Sequence, residues 1–203
     1  MNIISNCCAG GYIYRDYLKI QYPNPFIWCF IPFNDYYTLI KNYKTMNFEN
    51  VELIKYNTIF SRKEDLTDFQ YNTNVGLCID KKVKIGWPHN YYSPHDSLPR
   101  IYNCEVYYNK NWELTLDNWN KRIVRSNVKE KPIWLFLTQN IVDFNLENTK
   151  KILNDFPDEQ MIVITSFKEL LSYNTQKHKI YFNRCVERSP EFILKETNLS
   201  FDF

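Results

Sequence analysis

The sequence predicts an α/β fold, a three-layer sandwich around a mostly parallel sheet, formed by a single domain over residues 1–203. Three observations predict it. Strand-length apolar runs alternate with segments of helical spacing at both ends of the chain. The runs Ile133-Trp134-Leu135-Phe136-Leu137 and Met161-Ile162-Val163-Ile164 are apolar throughout, as strands covered on both faces require. A chain of 203 residues, 44% hydrophobic and 24% charged, is long enough for one ordinary domain with a sizeable core.

Taken in order, Asn2 to Ser5 reads as a short buried strand, followed by a loop through Ala9. From Gly10, the residues Tyr12, Ile13, Tyr14 and Leu18 have helical spacing. Phe26 to Ile31 reads as a strand between prolines. Asn34 or Asp35 is the expected cap of a helix carrying Tyr36, Leu39, Ile40 and Tyr43. Val51 to Ile54 is a further strand. Residues 56–100 are polar and broken by Pro88, Pro94 and Pro99, and are expected to form an irregular cover over a site at the carboxyl ends of the strands. Ile101 to Tyr108 alternates as a strand does. Leu116, Trp119 and Ile123 form the apolar stripe of a helix over about 112–126. Leu146, Ile152 and Leu153 mark a short helix, and Lys179 to Phe182 the last strand. His178 reads as a surface residue in a lysine-rich loop.

Composition narrows the function classes. Near-average hydrophobic and charged content excludes wholesale disorder. No apolar run approaches the 18 or so residues of a spanning helix, so membrane insertion is not expected. The polar start after Ile4 predicts no secretory signal, and hence a cytoplasmic location. A net charge of +2 argues against nucleic acid as a partner. The six cysteines, at 7, 8, 29, 78, 104 and 185, lack zinc-knuckle spacing and read as reduced thiols, and no metal is expected. The 16 Tyr, 14 Phe and five Trp can stack on sugars, with aromatic core packing as the structural alternative.

Against a chain with one alanine and four glycines, the cluster Ala9-Gly10-Gly11 stands out. In Ser5-Asn6-Cys7-Cys8-Ala9-Gly10-Gly11 a strand enters a tight loop and then a helix. That arrangement aims backbone N–H groups at one point able to hold a phosphate or an oxyanion. Gly10 and Gly11 allow close backbone approach or positive φ. A cysteine at such a helix start, Cys8 here, is a candidate nucleophile. A tight turn with two buried thiols is the structural alternative.

Ile4 to Gly11 resembles the Ile-Ser-Asn-Asn-Cys-Trp-Gly-Gly signature of a bacterial family of unknown activity whose members occur in capsule, exopolysaccharide and lipopolysaccharide clusters. In that register Ser5, Asn6, Cys8, Gly10 and Gly11 match, while Cys7 replaces the second Asn and Ala9 the Trp. Tyr14-Arg15, Pro25-Phe26 and Asp35-Tyr36 continue the similarity. Trp119-Asn120-Lys121-Arg122-Ile123-Val124-Arg125-Ser126-Asn127 resembles the family's Trp-Asn-x-Arg-x-x-Arg-x-Asn helix, and the likeness is scattered over about residues 3–167. Arg122 and Arg125 lie three apart and so can grip one diphosphate or carboxylate, unless they are a solvated stripe opposite Trp119. The family's Gly-Asp-Ile-Glu-Ile-His-like strand corresponds to Asn103-Cys104-Glu105-Val106-Tyr107, which keeps Glu105 and lacks the histidine. His89 and His95 are the candidate replacements as a base, with Asp96 or Glu105 to orient the ring.

The family is distantly similar to polysaccharide acyltransferases with a Gly-Asn-Cys signature after their first strand. The resemblance implies acyl transfer from acyl-CoA, as co-substrate, to a sugar hydroxyl or amine. Cys8 is then nucleophile or positioning group, the loop around Asn6, Gly10 and Gly11 holds the oxyanion, and Arg122 and Arg125 hold phosphates. A glycosyltransferase using a nucleotide sugar needs the same phosphate grip, though no Asp-x-Asp triplet for a metal is present. A non-catalytic glycan-binding or assembly protein is the third class.

Overall fold

The protein is described by a computed structural model over residues 1–7, 9–20, 24–26, 29, 31–55, 75–86, 112–126, 128, 130–138, 143–184, 186 and 190–199. In chain order its strands are β1 (Ile3–Ser5), β2 (Val51–Lys55), β3 (Val75–Ile79), β4 (Val83–Gly86), β5 (Ile133–Leu137), β6 (Met161–Thr165) and β7 (His178–Phe182). The helices are α1 (Ala9–Tyr12), continued by a π-helical turn Ile13–Tyr17, then α2 (Phe33–Asn42), α3 (Trp112–Ser126), α4 (Leu146–Asp155) and α5 (Pro190–Glu196).

Four strands form one sheet in the order β1-β5-β6-β7, and every neighbouring pair is parallel. The register sets Ser5 beside Leu135 and Leu137 beside Ile164. Alternate side chains of the apolar strands enter two separate cores. Ile3, Ile133, Leu135, Leu137, Ile162 and Ile164 pack with Ala9, Ile13, Tyr14, Ile193 and Leu194 of α1, its π turn and α5. Ile4, Trp134, Phe136, Met161 and Val163 pack with Tyr36 and Leu39 of α2, Ile152 and Leu153 of α4, and Trp119 and Ile123 of α3. Burial on both faces is why these strands carry no alternating polar residues, and the layers are those of an α/β sandwich.

β2-β3-β4 form a small antiparallel sheet, whose Leu77, Ile79, Val83 and Ile85 close the second core. β3 and β4 correct the reading of 56–100 as wholly irregular. Their hairpin has no Asn-Gly signal: Asp80 and Lys81 take the left-handed φ values of 50° and 55°, a conformation that side chains other than Gly, Asn and Asp seldom adopt. The α2 cap also differs from expectation. Pro32 occupies the cap position, and Asp35 instead accepts the Lys84 N–H at 2.6 Å, tying α2 to β4. The expected strand at 26–31 is not formed by its described residues: Phe26 is in a turn, and Cys29 and Ile31 are in irregular backbone. The expected strand at 101–108 lies outside the described residues.

The aromatic content builds the second core. Tyr36 meets Trp134 at 5.6 Å, Phe136 at 5.9 Å and Phe144 at 5.4 Å between ring centroids, all steeply inclined. Phe26 meets Phe48 and Trp119 edge-on, and the Trp119 indole donates to the Phe48 carbonyl at 2.7 Å. Such edge-to-face pairs add about 0.5–1.5 kcal/mol each beyond their buried area.

β1 ends the sheet, and its outer rim has no strand partner among the described residues. Side chains supply bonds there: the Ile3 N–H donates to Tyr14 Oη at 2.7 Å, and Asn24 Nδ2 donates to the Ile3 carbonyl at 2.8 Å. A rim satisfied in this way offers little template to another strand. Among the described residues no helix is long and apolar enough to cross a membrane.

Candidate functional site at the carboxyl ends of the strands

The turn after β1 is built by two short polar side chains. Ser5 Oγ accepts the Cys7 N–H at 3.3 Å, bending the chain immediately after the strand. Asn6 then copies a strand residue with its side chain. Its Nδ2 donates to the Leu137 carbonyl at 3.1 Å and its Oδ1 accepts the Leu137 N–H at 3.2 Å. Its own N–H donates to the Leu135 carbonyl, and its carbonyl accepts the Ile31 N–H at 3.0 Å. Asn6 is fully buried, so it fixes the loop against β5 and against the segment that leads into α2.

Gly10 and Gly11 lie in α1 and are buried. Close approach, and not backbone handedness, explains Gly10: no described glycine has positive φ, and a Cβ on Gly10 would lie 3.1 Å from Ser5 Cβ. The glycine lets the helix start sit directly on the end of the strand. Similar polar positions end the other strands. Thr138 Oγ1 donates to Thr165 Oγ1 at 3.0 Å, Thr165 Oγ1 accepts the Phe167 N–H, and Asn183 Nδ2 donates to Thr197 Oγ1 at 3.0 Å. The sheet's carboxyl edge is therefore a row of buried, internally bonded polar groups, which a sequence scan for acids, bases and nucleophiles does not register.

The Cys7 and Cys29 thiols are buried, which disfavours the thiolate that a nucleophile needs. Burial pushes the Cys7 thiol up to about 11 and the Cys29 thiol to about 12. Both stay protonated at neutral pH, as buried structural cysteines do. The Arg122 charge opposes part of the rise at Cys29.

Arg122 is half-buried and Arg125 exposed. Arg125 donates through Nε to the Lys121 carbonyl at 3.3 Å. With Asn120, Lys121 and Val124 it lines a groove of about 610 Å³, and Arg122 is not among the described residues lining it. The two arginines therefore face different surroundings. From sequence, Asn120 is legible as the Asn of the Trp-Asn-x-Arg run, while Lys121 and Val124 fall at its variable positions.

Of the candidate site residues, Ser5, Asn6, Gly10 and Gly11 come together at the carboxyl end of β1, and Arg122 and Arg125 lie on α3. Cys8, His89, His95, Asp96 and Glu105 lie outside the described residues. The third histidine corrects the sequence reading. His178 is buried at the start of β7, with Nε2 at 3.2 Å from the Phe156 carbonyl, and burial holds it below its ordinary 6.5. It stands at the amino end of the strand, opposite the edge that carries the β1 loop.

No curated protein and no solved structure matches the chain. A family model described as a domain of unknown function matches residues 1–187, nearly the whole chain, and the protein therefore belongs to the DUF1919 family.

Proposed function

We propose that the protein transfers an acyl group from acyl-CoA to a sugar hydroxyl or amine in surface-glycan biosynthesis, in the cytoplasm. The observation that supports the reading is the β1 loop itself. A buried strand ends in a turn locked on both sides by Asn6, and a glycine lets the following helix sit on the turn. Carboxyl ends of parallel strands are where α/β folds hold ligands.

In this reading a histidine of the middle segment, His89 or His95 oriented by Asp96 or Glu105, takes the proton of the acceptor hydroxyl. The acceptor oxygen forms its bond to the thioester carbonyl carbon, and the oxyanion is held by N–H groups of the loop at Gly10 and Gly11. The C–S bond then breaks, and the coenzyme thiolate leaves with the proton from the histidine. Where Cys8 is the nucleophile, its sulfur first takes the acyl group as the C–S bond to the coenzyme breaks, and the coenzyme thiol leaves with the Cys8 proton. The acceptor oxygen then attacks the acyl-cysteine, and its proton returns to Cys8 through the histidine. Otherwise Cys8 positions the thioester, and in both cases Ser5 and Asn6 hold the loop in shape. Of the two α3 arginines expected to hold coenzyme phosphates, Arg122 keeps that role in this reading, because Arg125 faces the separate groove beside α3.

Alkylation with iodoacetamide, followed by peptide mapping and an acetyl-CoA turnover assay on simple sugars, tests this. The expected result is modification of Cys8, slowed by acetyl-CoA, with loss of acetyl transfer. Unchanged turnover after complete Cys8 modification removes the cysteine from the mechanism. Turnover of a nucleotide sugar and none of acetyl-CoA replaces acyl transfer by glycosyl transfer, and glycan binding without turnover makes the protein a binding module.

A further inference from the structure

We propose that the groove beside α3 is a binding site for a sugar phosphate, whose hydroxyl donates to Asn120 while its phosphate is held by Arg125 and Lys121. Three independent features meet there. The first is Asn120 Oδ1, which is shut off from solvent and has no hydrogen-bond partner among the described residues, although buried acceptors are nearly always satisfied. The residue itself is only half-buried and lines the groove of about 610 Å³. As it stands the oxygen faces away from solvent, so a hydroxyl in the groove reaches it only once the amide turns about χ2, a soft torsion, and that turn breaks no bond to Oδ1. The other unpartnered oxygen among the described residues, Thr149 Oγ1, belongs to a fully buried residue that no ligand can approach.

The second feature is a pair of cationic side chains, Lys121 and Arg125, lining the same groove. The bond from Arg125 to the Lys121 carbonyl uses Nε, which leaves the terminal guanidinium nitrogens as the pair suited to two phosphate oxygens. The third is Val124, 80% exposed, which offers an apolar patch in the same lining. An acceptor for a hydroxyl, an apolar surface for the C–H face of a ring and a forked cation for a phosphate are what a phosphorylated sugar presents in complement. Inorganic phosphate uses only the last of these, and a neutral sugar only the first two.

Sugar-phosphate binding here shares the α3 arginine run with the acyl-transfer reading but does not require acyl transfer. Calorimetric titration of the full chain with glucose 1-phosphate, UDP-glucose, glucose, inorganic phosphate and acetyl-CoA tests it, with Asn120→Leu and Arg125→Ala as variants. Glucose 1-phosphate or UDP-glucose should bind at least tenfold tighter than glucose or phosphate, and whichever binds tighter shows whether the sugar phosphate is free or part of a nucleotide sugar. Each variant should weaken that binding at least tenfold. Asn120→Leu should melt no lower than the parent, because it removes a buried acceptor that nothing satisfies. Arg125 is exposed, so its variant tests the phosphate contact even if the Asn120 variant folds poorly. Absence of binding to both sugar phosphates, or equal binding by parent and Asn120→Leu, overturns the proposal. Acetyl-CoA binding that depends on Arg122 but ignores Asn120, in a protein that takes no sugar phosphate, leaves acyl transfer standing and this proposal fallen.

Discussion

Asn6 is the side chain on which the loop's shape most directly depends, because a single amide replaces both halves of a backbone pairing with Leu137. Asn6→Ala should destabilise the fold by about 2–6 kcal/mol, since it orphans a buried N–H and a buried carbonyl at about 1–3 kcal/mol each. Asn6→Asp should recover little: the carboxylate can accept the Leu137 N–H but cannot donate to its carbonyl. Denaturant unfolding of the two variants measures both effects, and a loss under about 0.5 kcal/mol for Asn6→Ala, the low end for one ordinary hydrogen bond, would show that the loop holds without the amide. His178 makes a second prediction at the same scale. Burial holds its folded value below the ordinary 6.5, so at mildly acidic pH the unfolded chain binds a proton that the folded protein does not. Its contribution to stability is fully present above the ordinary value and is lost as the pH falls below it. His178→Gln, whose amide can still donate to the Phe156 carbonyl, should flatten this part of the stability profile. Parallel profiles for parent and variant from neutral pH down through the ordinary histidine range would contradict it.

Among the elements, those defined by unbroken apolar runs or a clear helical stripe are legible from the residues alone. β5, β6 and α3 match their expected spans because burial on two faces, or on one stripe, leaves a periodic signature that needs no partner to be recognised. The β3-β4 hairpin is not legible, because its turn carries no glycine or asparagine and sets Lys81 beside Asp80 in a left-handed conformation that a lysine side chain resists. Replacing Lys81 by Gly should therefore stabilise the protein by up to about 1 kcal/mol, the relief of a left-handed side chain less the added freedom of the unfolded chain. Thermal unfolding checks this, and a lower melting temperature would mean that the Lys81 side chain contributes more than its backbone costs. The residues around His178 mislead for a related reason. Its lysine neighbours look like a loop, yet the strand buries His178 while Lys179 remains half-buried. At the candidate site, Ser5, Asn6 and the glycines are legible because a strand-to-helix turn demands small and polar residues. The Asn120 groove is not, since an unpartnered oxygen is a fact of packing that no spacing reveals.

At the scale of the whole molecule, α1 after the β1 loop packs into the core on one face of the sheet, and α3 with Trp119 and Ile123 packs into the core on the other. The proposed acyl transfer requires Arg122 to take a phosphate of an acyl-CoA, and calorimetric titration of acetyl-CoA into the parent protein and Arg122→Ala tests that requirement most directly. Saturable binding is expected for the parent. The variant should lose about 1.5–3 kcal/mol of binding free energy, the range for a hydrogen bond to a charged group, with its melting temperature unchanged. Absence of acetyl-CoA binding by the parent would contradict the assignment. So would equal affinity in a variant that melts lower, because Arg122 would then hold the fold and not the ligand.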